Sequence, residues 1–208
     1  MPQLLHINVS PRGDYSISRQ LSAAAVKEWK AKNPEGGIIE RDLTTTPLTF
    51  VDLDWIMGAF SAPEQHTEAH KKALAMSDEL IAELVAADEI IIGTPMYNFA
   101  IPAALKAWID HVVRAGKTFR YTASGVDGLL AAGRKKVVVI VASAGAYDDA
   151  SGATALDHEV PYLRYILGFM GLTDVTFVRA GGTLRVVQKQ ISTESFLEPF
   201  LNQVAAAV

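Results

Sequence analysis

The chain contains no cysteine, and that absence alone removes disulfides, thiolate metal sites and thiol nucleophiles from consideration. It has no block of basic residues either: 19 Lys and Arg stand against 23 Asp and Glu, leaving a net charge of −4, so the positive field that gathers nucleic acid is missing. No apolar run approaches the roughly 20 residues of a membrane span. The opening MPQLLHINVS lacks the charged-then-apolar order of a secretory signal. A cytoplasmic protein that touches neither membrane nor nucleic acid is expected. Two phosphate-binding signatures are absent as well. Without GxxxxGKS/T there is no nucleoside-triphosphate loop, and without GxGxxG a dinucleotide held in the Rossmann manner is not expected.

What the 208 residues do contain is an alternation of short apolar runs with longer amphipathic ones. Leu4 to Val9 reads as a strand, and Ser18 to Lys32 as a helix stopped by Asn33-Pro34. Gly36-Gly37 turns into a second strand at Ile38 and Ile39. A long excursion from 43 to 66 follows, with a short helix around Asp54 to Phe60. Glu68 to Ala87 is helical, with Ala73, Met76, Leu80 and Leu84 on its inner face. Ile90 to Ile92 forms a third strand, apolar without alternation and so buried on both faces. Pro102 opens a helix striped by Leu105, Trp108, Ile109, Val112 and Val113. Val137 to Ser143 and Val175 to Arg179 supply two more strands. Leu163 to Met170 is helical, and a final helix carries Phe196, Leu197, Phe200, Leu201 and Val204. Such βα alternation implies right-handed crossovers and one doubly wound α/β domain over 1–208, with five parallel strands between helices.

Ligands of doubly wound sheets lie beyond the carboxyl ends of the strands, and three loops there are unusual. SPRGDYSIS, residues 10 to 18, places Ser16 and Ser18 at a helix start, where hydroxyls and free N–H groups converge on an anion, with Arg12 in reach of it and Ser10 at the strand end. A phosphate monoester fits, although a plain serine N-cap is the simpler alternative. The loop after the third strand presents Pro95, Met96, Tyr97, Asn98 and Phe99, apolar and aromatic groups that need a flat surface to cover. Asn98 carries both a donor and an acceptor for an imide edge. The loop after the fourth strand presents Ser143, Ala144, Gly145 and Ala146, small enough for backbone N–H groups to approach a ligand. Phosphate at one loop and a flat heterocycle at the others outline flavin mononucleotide (FMN).

At these residues the chain resembles the FMN-dependent NADH azoreductases, flavodoxin-like reductases of quinones and azo compounds. Pro95-Met96-Tyr97-Asn98-Phe99 and Thr118-Phe119-Arg120-Tyr121-Thr122 carry the resemblance, with support from Pro161-Tyr162-Leu163 and from Gly168 to Asp174. It implies a homodimer in which Ser10, Ser16, Ile17 and Ser18 hold the phosphate. Pro95 to Phe99 would follow the isoalloxazine, with Ser143 and Gly145 at its pyrimidine, and Phe99, Tyr121 and Phe169 would meet the substrate. NADH or NADPH would reduce the flavin and leave, and a quinone or azo compound would then take the electron pair in ping-pong order, an azo bond needing two cycles to yield two amines. Ala144 and Ala146 stand where relatives often have Arg and Gly. Arg120 and Lys117 are the candidates for contact with a 2′-phosphate. The rival reading is a flavodoxin-type electron carrier, which the weak charge imbalance does not favour.

No metal site or catalytic side chain is expected. Asp110 and His111 are neighbours on a helix and point about 100° apart. His66 and His70 lack a third ligand, and Asp148-Asp149 reads as a polar loop. His6 reads as a packed or interface residue.

Overall fold

The computed structural model describes all residues from 1 to 208. The chain runs β1 (Gln3–Asn8), α1 (Ile17–Lys32), β2 (Gly37–Asp42), α2 (Leu53–Ala59), α3 (Glu68–Ala86), β3 (Glu89–Pro95), α4 (Ala103–Val112), β4 (Phe119–Thr122), β5 (Gly125–Gly128), β6 (Lys136–Ser143), α5 (Glu159–Phe169), β7 (Asp174–Gly181), α6 (Leu184–Val187) and α7 (Thr193–Ala207). Five strands form one parallel sheet in the order β2-β1-β3-β6-β7. The winding reverses between β1 and β3, so a crevice opens at their carboxyl ends.

Alternation along each strand divides the core in two. Leu5, Ile7, Ile90, Ile92, Val137 and Val139 face Leu80, Leu84, Trp108 and Leu163 from α3, α4 and α5. Leu4, Ile91, Val138 and Ile140 face Leu21, Ala25, Trp29, Phe196 and Val204 from α1 and α7. Each Leu, Ile, Val or Phe among them contributes about 1.5–3 kcal/mol on burial. Helix α1 comes unusually close to the sheet at Gly93, where an added Cβ would lie 2.7 Å from Ser22 Oγ and 3.0 Å from the Ser18 carbonyl.

The sheet and its covering helices match the expected doubly wound architecture, with local differences. The inner face of α3 is Leu74, Ser77, Leu80, Ile81 and Leu84, while Ala73 and Met76 sit at its margin. Leu201 on α7 is 42% exposed rather than buried. Residues 119–128 form an antiparallel hairpin, β4–β5, outside the main sheet. Its base is locked where Gly128 meets the backbone after α5: an added Cβ would stand 2.1 Å from the Gly171 nitrogen.

Candidate functional site

The first loop leaves β1, makes a short 3-10 turn at Gly13–Tyr15 and enters α1. Ser16, rather than Ser18, caps the helix, its Oγ accepting from the Arg19 N–H at 3.4 Å. Ser18 is fully buried and its hydroxyl lies 3.1 Å from Ser16 Oγ. The backbone N–H groups of Ile17 and Ser18 donate to no acceptor in the chain, as the first turn of a helix dictates. Arg19 braces the loop: its Nε donates to the Ser10 carbonyl at 2.6 Å and its terminal nitrogen reaches both Asp42 carboxylate oxygens at 2.8 Å. Burial opposes ionisation of Asp42, but bonds from Thr44 and Arg19 outweigh it and hold the carboxyl below its ordinary value.

The second loop continues β3. Met96 donates to the Ala142 carbonyl at 2.8 Å, and Tyr97 and Ala100 exchange bonds of 2.9 and 3.0 Å across a tight turn. Asn98 (φ 50°) and Phe99 (φ 69°) occupy the left-handed region consecutively, a conformation that costs a non-glycine residue about 1–2 kcal/mol. The third loop follows β6. Ser143 Oγ donates to the Gly145 carbonyl at 2.8 Å, whereas the backbone N–H groups of Ala144, Gly145 and Ala146 have no acceptor in the chain. Phe99 and Tyr147 join the second and third loops edge to face at 5.9 Å.

A cleft of about 240 Å³ opens between these loops, lined by Ser10, Arg12, Ser16 and Ile17 at one end and by Pro95, Met96, Tyr97, Ala142 and Ala144 at the other. Its remaining wall is Thr183, Leu184 and Val187, at the start of α6 and within it. These three were not anticipated; the signal available was Gly181-Gly182-Thr183, small residues ending the fifth strand of the sheet. Ser143 and Ala146 face a separate small cavity of about 20 Å³ behind the third loop, bounded by Met96, Tyr147, Asp157 and Arg179. Gly145 lies against the Tyr147 ring, and Asn98 and Phe99 form the turn beyond Tyr97. Tyr121 and Phe169 are not on the cleft of this chain. They join Phe119 in an aromatic cluster on the hairpin and α5, with ring centroids 5.4 and 4.7 Å from that of Phe119. Arg120 is paired across the hairpin with Asp127 at 3.0 Å.

The cleft is thus prepared for an anion at its α1 end and for a flat, largely apolar body at the other. Arg12 and Tyr97 are its only ionisable side chains. Elsewhere, Ser22, His6 and Glu40 reproduce the connectivity of a hydrolase triad, at 3.0 and 2.7 Å. Ser22 has no exposed surface, so the arrangement ties α1 to β1 and β2 rather than presenting a nucleophile. His111 is buried with Nε2 on the Thr49 carbonyl at 2.8 Å. His66 Nε2 lies 3.3 Å from the Ser61 carbonyl, and His70 completes the cap of α3.

Strand order, switch-point cleft and serine-lined helix start define a flavodoxin-like α/β protein. A family profile described as flavodoxin-like fold matches residues 2–204, and the chain belongs to this flavodoxin-like family. An FMN-dependent NADH:quinone oxidoreductase of Nostoc sp. is 50% identical over 180 residues, 86% of each chain. One from Jannaschia sp. is 44% identical over 207 residues, covering 100% of this chain and 99% of its own. Among solved structures, an azoreductase from Bacillus anthracis superposes with a TM-score of 0.88 at 31% identity, over 99% of this chain and 98% of that one. An FMN-dependent NADH-azoreductase from the same organism, in complex with FMN, has a TM-score of 0.87 at 26% identity, over 100% and 97%.

Proposed function

We propose that this chain is an FMN-dependent NADH:quinone oxidoreductase that also reduces azo compounds, acting in ping-pong order as a cytoplasmic homodimer. The observation that carries the reading is a single cleft with an anion-ready helix start at one end and, at the other, an apolar slot whose lining includes Ala144, the first of three consecutive residues with unpaired N–H groups. Those residues fit FMN. Ser10, Ser16, Arg12 and the N–H groups of Ile17 and Ser18 would hold its phosphate, and Pro95, Met96 and Tyr97 would lie along the isoalloxazine. The N–H groups of Ala144, Gly145 and Ala146 are the donors available to its pyrimidine carbonyls. FMN supplies the two-electron chemistry that carries reducing equivalents from NADH to a quinone or azo compound.

The chain's own part is placement and electrostatics. Donors fixed by the third loop favour negative charge on the pyrimidine without reorganising when it develops. No carboxylate or histidine lines the cleft, so protons for the product come from water. Leu184 and Val187 add apolar surface to the same cleft as Met96 and Tyr97. The dimer reading is supported by an apolar surface on the excursion before α3: Phe50, Leu53, Met57 and Phe60 are 53–79% exposed, more than a lone subunit ordinarily leaves in water. No helix is long and apolar enough to cross a membrane, and a soluble NADH donor fits a cytoplasmic setting. A flavodoxin-type carrier needs a strong charge patch for its partner, and 23 acids against 19 bases do not provide one. Steady-state velocities with NADH against a benzoquinone and against an azo dye test the reading. Parallel double-reciprocal lines support it; absence of FMN-dependent turnover with both acceptors refutes it.

A further inference from the structure

The start of α5 lies outside the cleft but grips both loops that form its ring-side end. Glu159 has no exposed surface. Its Oε1 accepts from Thr94 Oγ1 at 3.1 Å, and its Oε2 has no partner. His158, one residue earlier, donates its backbone N–H to the Phe99 carbonyl at 2.9 Å. Asp157 accepts from the N–H groups of Glu159 and Val160 at 2.9 Å each and from Arg179 at 2.6 Å. Arg179 in turn donates to the Tyr147 carbonyl. Three consecutive residues therefore hold the root of the second loop, its tip and, through Arg179, the third loop.

We propose that Glu159 is a positioning residue for the flavin, docking the second loop on α5 as a neutral acid, and that loss of its proton releases the loop and weakens cofactor binding. The inference rests on the flavin reading of the cleft. Burial, with the nearby Asp157 adding to it and the Thr94 bond acting against it, raises the Glu159 pKa to about 9. A carboxylate here would be a buried charge with one oxygen unpaired, which is strongly unfavourable. No cation is free to compensate. β3 brings the uncharged Thr94, β7 brings Arg179 already paired with Asp157, and the third loop brings Tyr147 and the acidic Asp148 to the cavity beside Asp157. Lys106 and Asp110 of α4 interact with Tyr162, further along α5. The available relief is hydration of the carboxylate, which requires the start of α5 to open to water; that strains the His158 N–H bond to the Phe99 carbonyl and loosens the loop along the flavin ring.

The experiment is FMN affinity, by quenching of flavin fluorescence, at pH 7 and pH 9.5 for the wild-type protein and for Glu159→Gln. Only the protonated fraction binds fully, so wild-type affinity should fall about 4-fold more over this range than that of the variant. Ionisation of the flavin itself is common to both and cancels. Equal losses in the two proteins overturn the inference while leaving FMN binding intact. Failure of the wild type to bind FMN at pH 7 overturns the flavin reading and this inference with it. Thr94→Val provides an independent readout should the Gln variant not fold. The bond it removes favours the charged form, so the alkaline midpoint of FMN release should move upward; an unmoved or lowered midpoint refutes the role.

Discussion

Replacing Glu159 by Gln keeps the shape of a buried side chain and removes its proton equilibrium, which makes the apoprotein's stability a direct report on that equilibrium. Unfolded, Glu159 releases its proton near its ordinary pKa of 4.5; folded, it retains it until about 9. Between those values the unfolded chain binds fewer protons than the folded one, so stability falls as pH rises. The slope is about 1.4 kcal/mol per pH unit, and from pH 6 to pH 8 the loss is about 2.7 kcal/mol. For a chain of this size that is a fall of roughly 5–10 °C in melting temperature. Urea denaturation of both apoproteins at pH 6 and pH 8 isolates the effect, because every other titrating group is shared. Wild type should lose about 2.7 kcal/mol more than Glu159→Gln over this interval. Parallel behaviour within about 0.5 kcal/mol, the ordinary scatter of additive effects, would refute the reasoning and mean that Glu159 is ionised in the folded protein.

Three further substitutions probe the scaffold and the anion end of the cleft. Gly128→Ala places a methyl group 2.1 Å from the Gly171 nitrogen; a backbone neighbour cannot rotate away, so urea denaturation should show a loss of at least about 2 kcal/mol. Gly93→Ala pushes against Ser22 and the Ser18 carbonyl, at 2.7 and 3.0 Å, and should displace the first turns of α1 and weaken FMN binding roughly tenfold, about 1.4 kcal/mol. Ser16→Ala removes the cap of α1, costing about 1 kcal/mol in stability. It also deletes a proposed phosphate donor, so FMN affinity should fall roughly 10- to 100-fold while affinity for riboflavin, which lacks the phosphate, stays unchanged in fluorescence titration.

Periodicity carried the main sheet and its helices because buried parallel strands and amphipathic helices write themselves plainly: Ile90-Ile91-Ile92 is apolar throughout, and Leu105, Trp108, Ile109 and Val112 recur at helical spacing. The inner face of α3 was offset by one residue because Ser77 is buried, its hydroxyl donating to the His111 carbonyl at 2.6 Å, a polar group that hydrophobic pattern does not count. The hairpin stayed hidden since FRYT and GVDG are four-residue strands, and the close approach of Gly128 to the Gly171 backbone is a tertiary contact with no local signature. At the cleft, Ser10, Arg12, Ser16 and Pro95 to Tyr97 were legible as chemistry waiting at strand ends. Thr183, Leu184 and Val187 were not, because their position depends on Thr183 and Leu184 donating to the Ser143 and Ala144 carbonyls at 3.0 and 3.2 Å, tertiary contacts with no local signature. Nothing in the local sequence sets Glu159 apart from any helix-start acid; only the fold shows that it is sealed against Thr94.

The central claim is that the cleft binds FMN and allows NADH to reduce it. An anaerobic titration of the FMN-reconstituted protein with NADH, followed by visible absorption, tests it most directly. The account predicts bleaching of the flavin band to completion near one equivalent of NADH, followed by recovery of the band on adding a quinone. A bound flavin that stays oxidised under NADH, yet is reduced by dithionite, would contradict it.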